Sequence, residues 1–80
     1  MAIHFVGKDP DSPNGGCPAV FVDEANGDLL FQGSTVTDGE VLSFVDSMSN
    51  ILSGETVVRL PARMRAIILE ACGGGERANV

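Results

Sequence analysis

The chain has 80 residues, 44% of them hydrophobic, and its 11 acidic and 5 basic side chains give a formal net charge of −6. A chain of this length has room for one small core of marginal stability. No apolar run approaches the roughly 18 residues that span a bilayer, and no tripartite secretion signal opens the sequence, so we expect a cytoplasmic protein without a membrane partner.

The negative charge is concentrated in residues 1–40, which carry seven acidic side chains and one basic side chain. Lys and Arg supply most non-specific affinity for nucleic acid, so this surface disfavours direct binding of DNA or RNA. It favours a basic protein partner instead. Solubility alone is the alternative reason for such an acidic surface.

The first half of the chain predicts three strands. Ala2 to Val6 is short, apolar and β-rich, and Ala19 to Asp23 has the same character. The Lys8–Pro18 segment between them is rich in Pro and Gly, which predicts a surface loop. Asn26-Gly27 is a strong hairpin signal, so the stretch Leu29 to Val36 should pair antiparallel with the second strand.

One glycine lies inside the predicted third strand. A glycine in a strand interior indicates a bulge or the close approach of a neighbouring backbone, and we expect one of these at Gly33.

The second half predicts a helix, a strand and a second helix. Thr37 or Asp38 can cap the first helix, which should end near Ser53-Gly54. Its apolar positions recur at helical spacing: Val41, Leu42, Phe44, Val45, Met48, Ile51 and Leu52. The β-branched stretch Glu55 to Leu60 predicts a fourth strand, ended by Pro61.

The second predicted helix spans Ala62 to Cys72 and ends at three consecutive glycines. Its apolar face consists of Met64, Ile67, Ile68 and Ala71. The order β-β-β-α-β-α defines an α+β domain over residues 1–72, in which a small, mostly antiparallel sheet of about four strands packs against two helices. Residues 73–80 should form a flexible tail. Because so small a core is marginal, we expect a homodimer.

The sequence contains no complete catalytic or metal-binding motif, so we predict a protein that is not an enzyme and has no cofactor or metal. The alternative is a small ligand- or metal-binding domain, or an enzyme, that uses His4, Cys17 and the Asp9–Gly16 loop. The two cysteines read as ordinary thiols, with Cys72 packed as a small hydrophobe and Cys17 in a loop, although a disulfide between them stays open.

An acidic hairpin alternates with a basic strand-to-helix junction along the chain. Asp23, Glu24 and Asp28 form the first group, and Arg59 and Arg63 belong to the second. Such an arrangement suits self-association or the binding of a charged protein partner in one register. Ordinary pairing within the molecule is the alternative for the arginines.

Four segments carry a resemblance to a known group of proteins: Phe5 to Ser12, Cys17 to Glu24 with Gly27-Asp28, Gln32-Gly33, and Glu55 to Met64. They resemble short acidic actinobacterial proteins that are commonly encoded beside a helix-turn-helix regulator of the Xre type, and are similar to the BldB-like developmental proteins of Streptomyces. The group often has Trp after its Gln-Gly pair, where this chain has Ser34.

The resemblance implies a non-enzymatic regulatory protein that binds itself and a helix-turn-helix regulator, in developmental control of transcription or in an antitoxin-like role. Combined with the charge pattern, it predicts partner-binding residues at Asp23, Glu24, Asp28, Gln32, Ser34, Arg59 and Arg63. If the Trp of the group anchors a partner, its replacement by Ser34 weakens or retunes that contact.

Overall fold

The computed structural model describes residues 2–11 and 18–73 and confirms an α+β fold. Its elements in chain order are β1 (Ile3–Lys8), β2 (Ala19–Asp23), β3 (Asp28–Gln32), β4 (Ser34–Thr35), α1 (Gly39–Ser49), β5 (Val58–Arg59), a 3-10 helix (Ala62–Met64) and α2 (Arg65–Ala71). No helix among the described residues is both long and apolar enough to cross a bilayer.

Strands β1, β2 and β3 form an antiparallel sheet with β2 in the centre. The predicted hairpin is confirmed, because Asp23 pairs with Asp28 across the turn and Ala19 pairs with Gln32 at the far end. Gly27 takes a φ of 83°, which glycine adopts without the steric cost that other residues carry. Its N–H donates to the carbonyl oxygen of Asp23 at 2.7 Å, and this bond closes the turn.

Helix α2 covers one face of this sheet and packs on β1 and β2. The register of β1 shifts between Phe5 and Gly7, which marks a bulge at the extra residue. A Cβ added at Gly7 would lie 3.1 Å from Cγ2 of Ile67, so the glycine lets the helix approach the strand closely. Val20 and Met64, whose side chains are fully buried, belong to this small core.

The predicted third strand, Leu29 to Val36, divides at Gly33. A Cβ there would lie 2.7 Å from the carbonyl oxygen of Arg59, which confirms the close backbone approach expected of this glycine. Beyond it, β4 leaves the first sheet and pairs with β5 in a separate two-stranded sheet. The predicted fourth strand, Glu55 to Leu60, is therefore reduced to Val58–Arg59 and belongs to this second sheet.

Helix α1 begins as predicted but ends early. The Asp38 carboxylate caps it by accepting hydrogen bonds from the N–H groups of Glu40 and Val41, at 2.9 and 3.5 Å. At the other end, the Asp46 side chain accepts from the N–H of Ile51 at 2.8 Å, and Asn50 takes a φ of 60°. These local bonds end the helix at Ser49, before the predicted Ser53-Gly54.

The predicted second helix opens as a 3-10 turn and becomes α-helical at Arg65. Its predicted apolar face is confirmed, with Met64 buried and the other three residues half-buried. The expectation that Cys72 packs as a small hydrophobe is wrong, because this residue follows the helix and is exposed. Residues 12–17 of the predicted Lys8–Pro18 loop, which include Cys17, lie outside the described residues. Residues 74–80 of the predicted tail also lie outside them.

Candidate functional site

The face of the three-stranded sheet opposite α2 is apolar, and the described part of the chain leaves it largely exposed. Side chains alternate between the faces of a strand, so the register places Phe5, Phe21 and Leu30 in one row across this face, with Ile3 beside them. The rings of Phe5 and Phe21 are in contact, with centroids 5.5 Å apart. Phe5 is 52% exposed, Leu30 42% and Ile3 39%. We call these four residues the open face.

The two ends of the open face carry opposite charge. Asp23 and Asp28 lie together at the hairpin end, where they face each other across β2 and β3. Lys8 lies at the other end, opposite Ala19. The Asp23 carboxylate accepts from the N–H of Ala25 at 3.0 Å, which fixes it in the turn, and Asp28 stays exposed. The open face is thus an apolar patch with two carboxylates at one end and one lysine at the other.

The predicted partner-binding residues fall into separate groups. Asp23, Glu24 and Asp28 share the hairpin, as the sequence predicted. Gln32 is the last residue of the edge strand β3, at the end far from the hairpin turn. Two residues further on, Ser34 of β4 pairs with Arg59 of β5. Strand β3 therefore connects the acidic hairpin with the Ser34–Arg59 pair along one edge.

Arg63 forms an ion pair within the molecule. Its Nε and Nη2 atoms donate hydrogen bonds of 2.6 Å to the two carboxylate oxygens of Asp9. The Asp9 side chain is 1% exposed and the Arg63 side chain 48% exposed. Asp11 lies further from the guanidinium, with its Oδ2 atom 3.7 Å from Nε. For Arg63, the structure thus shows pairing within the molecule, which was the alternative to partner binding for the arginines. About half of its side chain still faces solvent.

This ion pair shifts the pKa of both partners. The hydrogen bonds from Arg63 lower the pKa of Asp9, and the bond from the Asp11 N–H adds to this, while burial opposes it. The same hydrogen bonds to Asp9 raise the pKa of Arg63. Both groups are therefore held in their charged forms over the physiological range.

A second apolar surface runs along α1 and the turn after it. Phe44 and Met48 are four residues apart and lie on one side of α1. Leu52 follows in the turn after the helix. All three are among the most exposed large apolar side chains described, at 67%, 72% and 60%. Val41, Leu42 and Val45 turn towards the chain and are half-buried. We call Phe44, Met48 and Leu52 the α1 stripe.

The α1 stripe lies in a stretch without basic side chains. From Asp9 to Val58 the sequence contains no Lys, Arg or His, whereas it contains nine Asp and Glu residues. Glu40 lies one turn before Phe44 on the same side of α1, and Asp46 lies on the opposite side of the helix. Glu55 follows Leu52 in the turn, and all three carboxylates are exposed. The stripe thus has a carboxylate near each of its two ends.

The residues of the alternative small-molecule or metal site do not converge among the described residues. His4 lines a cleft of about 340 Å³ between the sheet and the end of α2, together with Glu24 and Glu70. Asp9 lies five positions further along the chain, just past the far end of β1, and is paired with Arg63. Cys17 and residues 12–16 of the loop lie outside the described residues. Within residues 2–11 and 18–73, no three His, Cys, Asp or Glu side chains form a metal-binding group.

The open face and the exposure of the α1 stripe were missed by the sequence reasoning. The alternation of Ile3 and Phe5 in β1 is a signal for one apolar strand face, but alternation does not show whether another element covers it. Likewise, apolar spacing in α1 predicts an apolar side without showing which part of it is buried. No local sequence pattern indicates the Asp9–Arg63 ion pair, because the two residues are 54 positions apart.

Comparisons with protein-family models, with curated proteins and with solved structures returned no significant match.

Proposed function

We propose that this chain is a non-enzymatic regulatory module that works by binding proteins: it self-associates and it binds a helix-turn-helix transcriptional regulator. The observation that carries the proposal is the amount of apolar surface left in water. Among the described residues, only Ala19, Val20 and Met64 are buried apolar side chains. Ten large ones are exposed: Ile3, Phe5, Leu29, Leu30, Phe31, Phe44, Met48, Leu52, Val58 and Leu69. Contiguous exposed apolar patches are typical of interaction sites.

The charge of the chain supports a basic partner. The net charge of −6 attracts a positively charged surface and speeds its association. The stretch from Asp9 to Val58 contributes to this attraction, because it has nine acidic and no basic side chains. Helix-turn-helix proteins carry such a surface where they contact DNA phosphates. Binding there would compete with DNA, in the manner of an antitoxin, or would link two regulators in one complex.

The α1 stripe is the part of the chain that best suits the regulator. An amphipathic helix inserts its apolar side chains into a groove of the partner, and residues at four-residue spacing act as the anchors. The carboxylates near the two ends of the stripe match a groove with Lys and Arg at its rim. Pairing of α1 with α1 of another copy would bring Glu40 and Asp46 near like charges, with no basic side chain in the helix to offset them.

The hairpin and the β3 edge add a second contact in this proposal. Glu24 and Asp28 offer exposed carboxylates at one end of the edge, and Gln32, Ser34 and Arg59 offer polar groups at the other. The exposed half of Arg63 extends this second group. Ser34 stands where the resembled group often has Trp, so this part of the surface lacks a large aromatic anchor.

The test is a calorimetric titration of the purified chain with a purified helix-turn-helix regulator of the Xre type, the partner that the resemblance implies. We expect binding that weakens as salt is added, because complementary charges contribute to it. Phe44→Lys should weaken binding by on the order of tenfold or more, as expected for the loss of an anchor residue. The matched control is Leu69→Lys, since Leu69 is 64% exposed on α2, against 67% for Phe44.

Two results would count against the proposal. Absence of binding at submillimolar concentrations of both proteins would remove the regulator as partner. Equal loss of binding in Phe44→Lys and Leu69→Lys would show that the α1 stripe has no special part in it.

A further inference from the structure

The open face is an apolar sheet surface that the described part of the chain does not cover. Helix α2 occupies the other side of the sheet, where Ile67 packs against Gly7. Phe5, in the centre of β1, keeps 52% of its surface exposed. Apolar sheet faces are normally packed against a second layer, so this face is suited to an occupant.

The charges around the open face select the occupant. A surface that binds a strongly basic partner would have only carboxylates near it, as the α1 stripe does. The open face instead has Asp23 and Asp28 at one end and Lys8 at the other. A patch with opposite charges at its two ends is complementary to a second copy of itself placed in the reverse direction.

We propose that the open face is the homodimer interface, and that two copies pack face to face with their strands running in opposite directions. This inference rests on the self-association within the proposed function and adds to it the surface and the orientation. The partner is a second copy of this chain.

The position of the apolar row makes this orientation geometrically simple. Phe5, Phe21 and Leu30 lie between the Asp23–Asp28 end and the Lys8 end of the face. A two-fold axis in the interface plane along this row reverses the strand direction of one copy relative to the other. It stacks the apolar rows of the two copies, and it brings the Lys8 end of each copy over the acidic end of the other. The same charge contact is therefore made twice in each dimer.

The first experiment is sedimentation velocity on the full chain over a concentration series. We expect a monomer–dimer equilibrium for the wild type. Leu30→Lys places a charge within the apolar row, on the β3 side of the open face, and should shift the chain to monomer at all concentrations. Leu69→Lys, the same change on the outer side of α2, should leave the dimer unchanged. Far-UV circular dichroism of both variants establishes that their folds are retained.

The second experiment uses charge reversal to test the orientation. Lys8→Glu makes both ends of the face acidic, and Asp28→Lys adds a positive charge to the acidic end. Each variant alone should dimerise more weakly, with a dissociation constant raised on the order of three- to tenfold. An equimolar mixture should recover association, because the glutamate of one chain can then meet the lysine introduced in the other. If the two copies packed with their strands in the same direction, like ends would meet, so Asp28→Lys alone would strengthen the dimer instead of weakening it.

Several outcomes would overturn the inference. These are a monomeric wild type at submillimolar concentration, an unchanged dimer in Leu30→Lys, equal disruption by Leu30→Lys and Leu69→Lys, and no recovery in the charge-reversal mixture. Failure here is separable from failure of regulator binding. Phe44→Lys should still dimerise while it loses the regulator. A monomeric chain that binds the regulator would therefore refute this inference and the self-association on which it rests, and would leave regulator binding standing.

Discussion

Asp9 and Arg63 are 54 residues apart in the sequence, and the guanidinium donates two hydrogen bonds of 2.6 Å to the two oxygens of the carboxylate. Asp9 follows β1, and Arg63 lies in the 3-10 helix that leads into α2. The pair therefore joins the end of the edge strand to the element that covers the sheet. Since the fully buried apolar side chains are few, we expect this two-bond contact to contribute to the stability of the fold.

The first prediction concerns the loss of this contact. Arg63→Ala leaves the buried Asp9 carboxylate without its charged partner, and an unpaired buried charge is strongly unfavourable. We expect a clear fall in the urea midpoint of unfolding. Arg65→Ala, a change of the same size at an exposed position two residues on, serves as the control and should have a much smaller effect. Similar midpoints for the two variants would contradict this role for Arg63.

The second prediction concerns pH. The pKa of Asp9 is lowered from its ordinary value of 3.8, chiefly by the hydrogen bonds from Arg63. A carboxyl group whose pKa is lower in the folded state contributes stability that is fully present above the pKa of the unfolded state. That contribution is lost as the pH falls below 3.8 and through the lowered pKa of the folded state. The free energy of unfolding should therefore decline in this acid range.

The control for this effect is the comparison of Asp9→Asn with Asp11→Asn. Asp9→Asn should be less stable than the wild type at neutral pH, and the difference should shrink in acid. Asp11 is exposed and its carboxylate lies 3.7 Å from Nε of Arg63, so Asp11→Asn should follow the wild-type curve closely. Urea unfolding at a series of pH values measures both. A constant gap between Asp9→Asn and the wild type would contradict the assignment.

The third prediction concerns the point where the two sheets separate. Gly33→Ala places a Cβ 2.7 Å from the carbonyl oxygen of Arg59, and because this neighbour is backbone, the strands must move apart. We expect a loss of about 1–3 kcal/mol in the free energy of unfolding, as for other overpacked sites. Gly39→Ala is the control, since nothing lies within 4 Å of its added Cβ. Equal stability of the two variants would contradict the close approach.

The fourth prediction concerns the start of α1. Asp38→Ala removes the carboxylate that accepts hydrogen bonds from the Glu40 and Val41 N–H groups. Loss of such a cap costs about 1 kcal/mol and reduces helicity, which far-UV circular dichroism and urea unfolding both report. Thr37→Ala should be nearly neutral, because Asp38 alone provides the cap. Regulator binding should weaken in Asp38→Ala as well, if α1 has to be helical to bind.

Sequence reasoning predicted the features that depend on neighbouring residues. The Asn26-Gly27 turn specified the β2–β3 hairpin, and Asp38 marked the helix start, since both signals act within a few positions. Gly33 was recognised as a place of close approach, although the identity of its neighbour, Arg59, depends on a contact far along the chain. The apolar face of α2 followed from spacing alone.

The features that escaped prediction depend on which surfaces meet. The division of the expected strand Leu29 to Val36 into β3 and β4 depends on pairing with β5, and alternation within one strand does not specify its partner. The early end of α1 arises from the bond between Asp46 and the Ile51 N–H, which competes with further helical turns. The exposure of Phe44 and Phe5 follows from what the rest of the chain leaves uncovered, so it became visible only in three dimensions.

The most direct test of the claim that this chain works by binding proteins is amide hydrogen exchange, measured by mass spectrometry with and without the purified helix-turn-helix regulator. Exposed helices exchange readily, and an element covered by a partner exchanges more slowly. The account predicts slower exchange in Gly39–Ser49 when the regulator is added, with little change in Arg65–Ala71. Unchanged exchange throughout the chain at saturating regulator would contradict it.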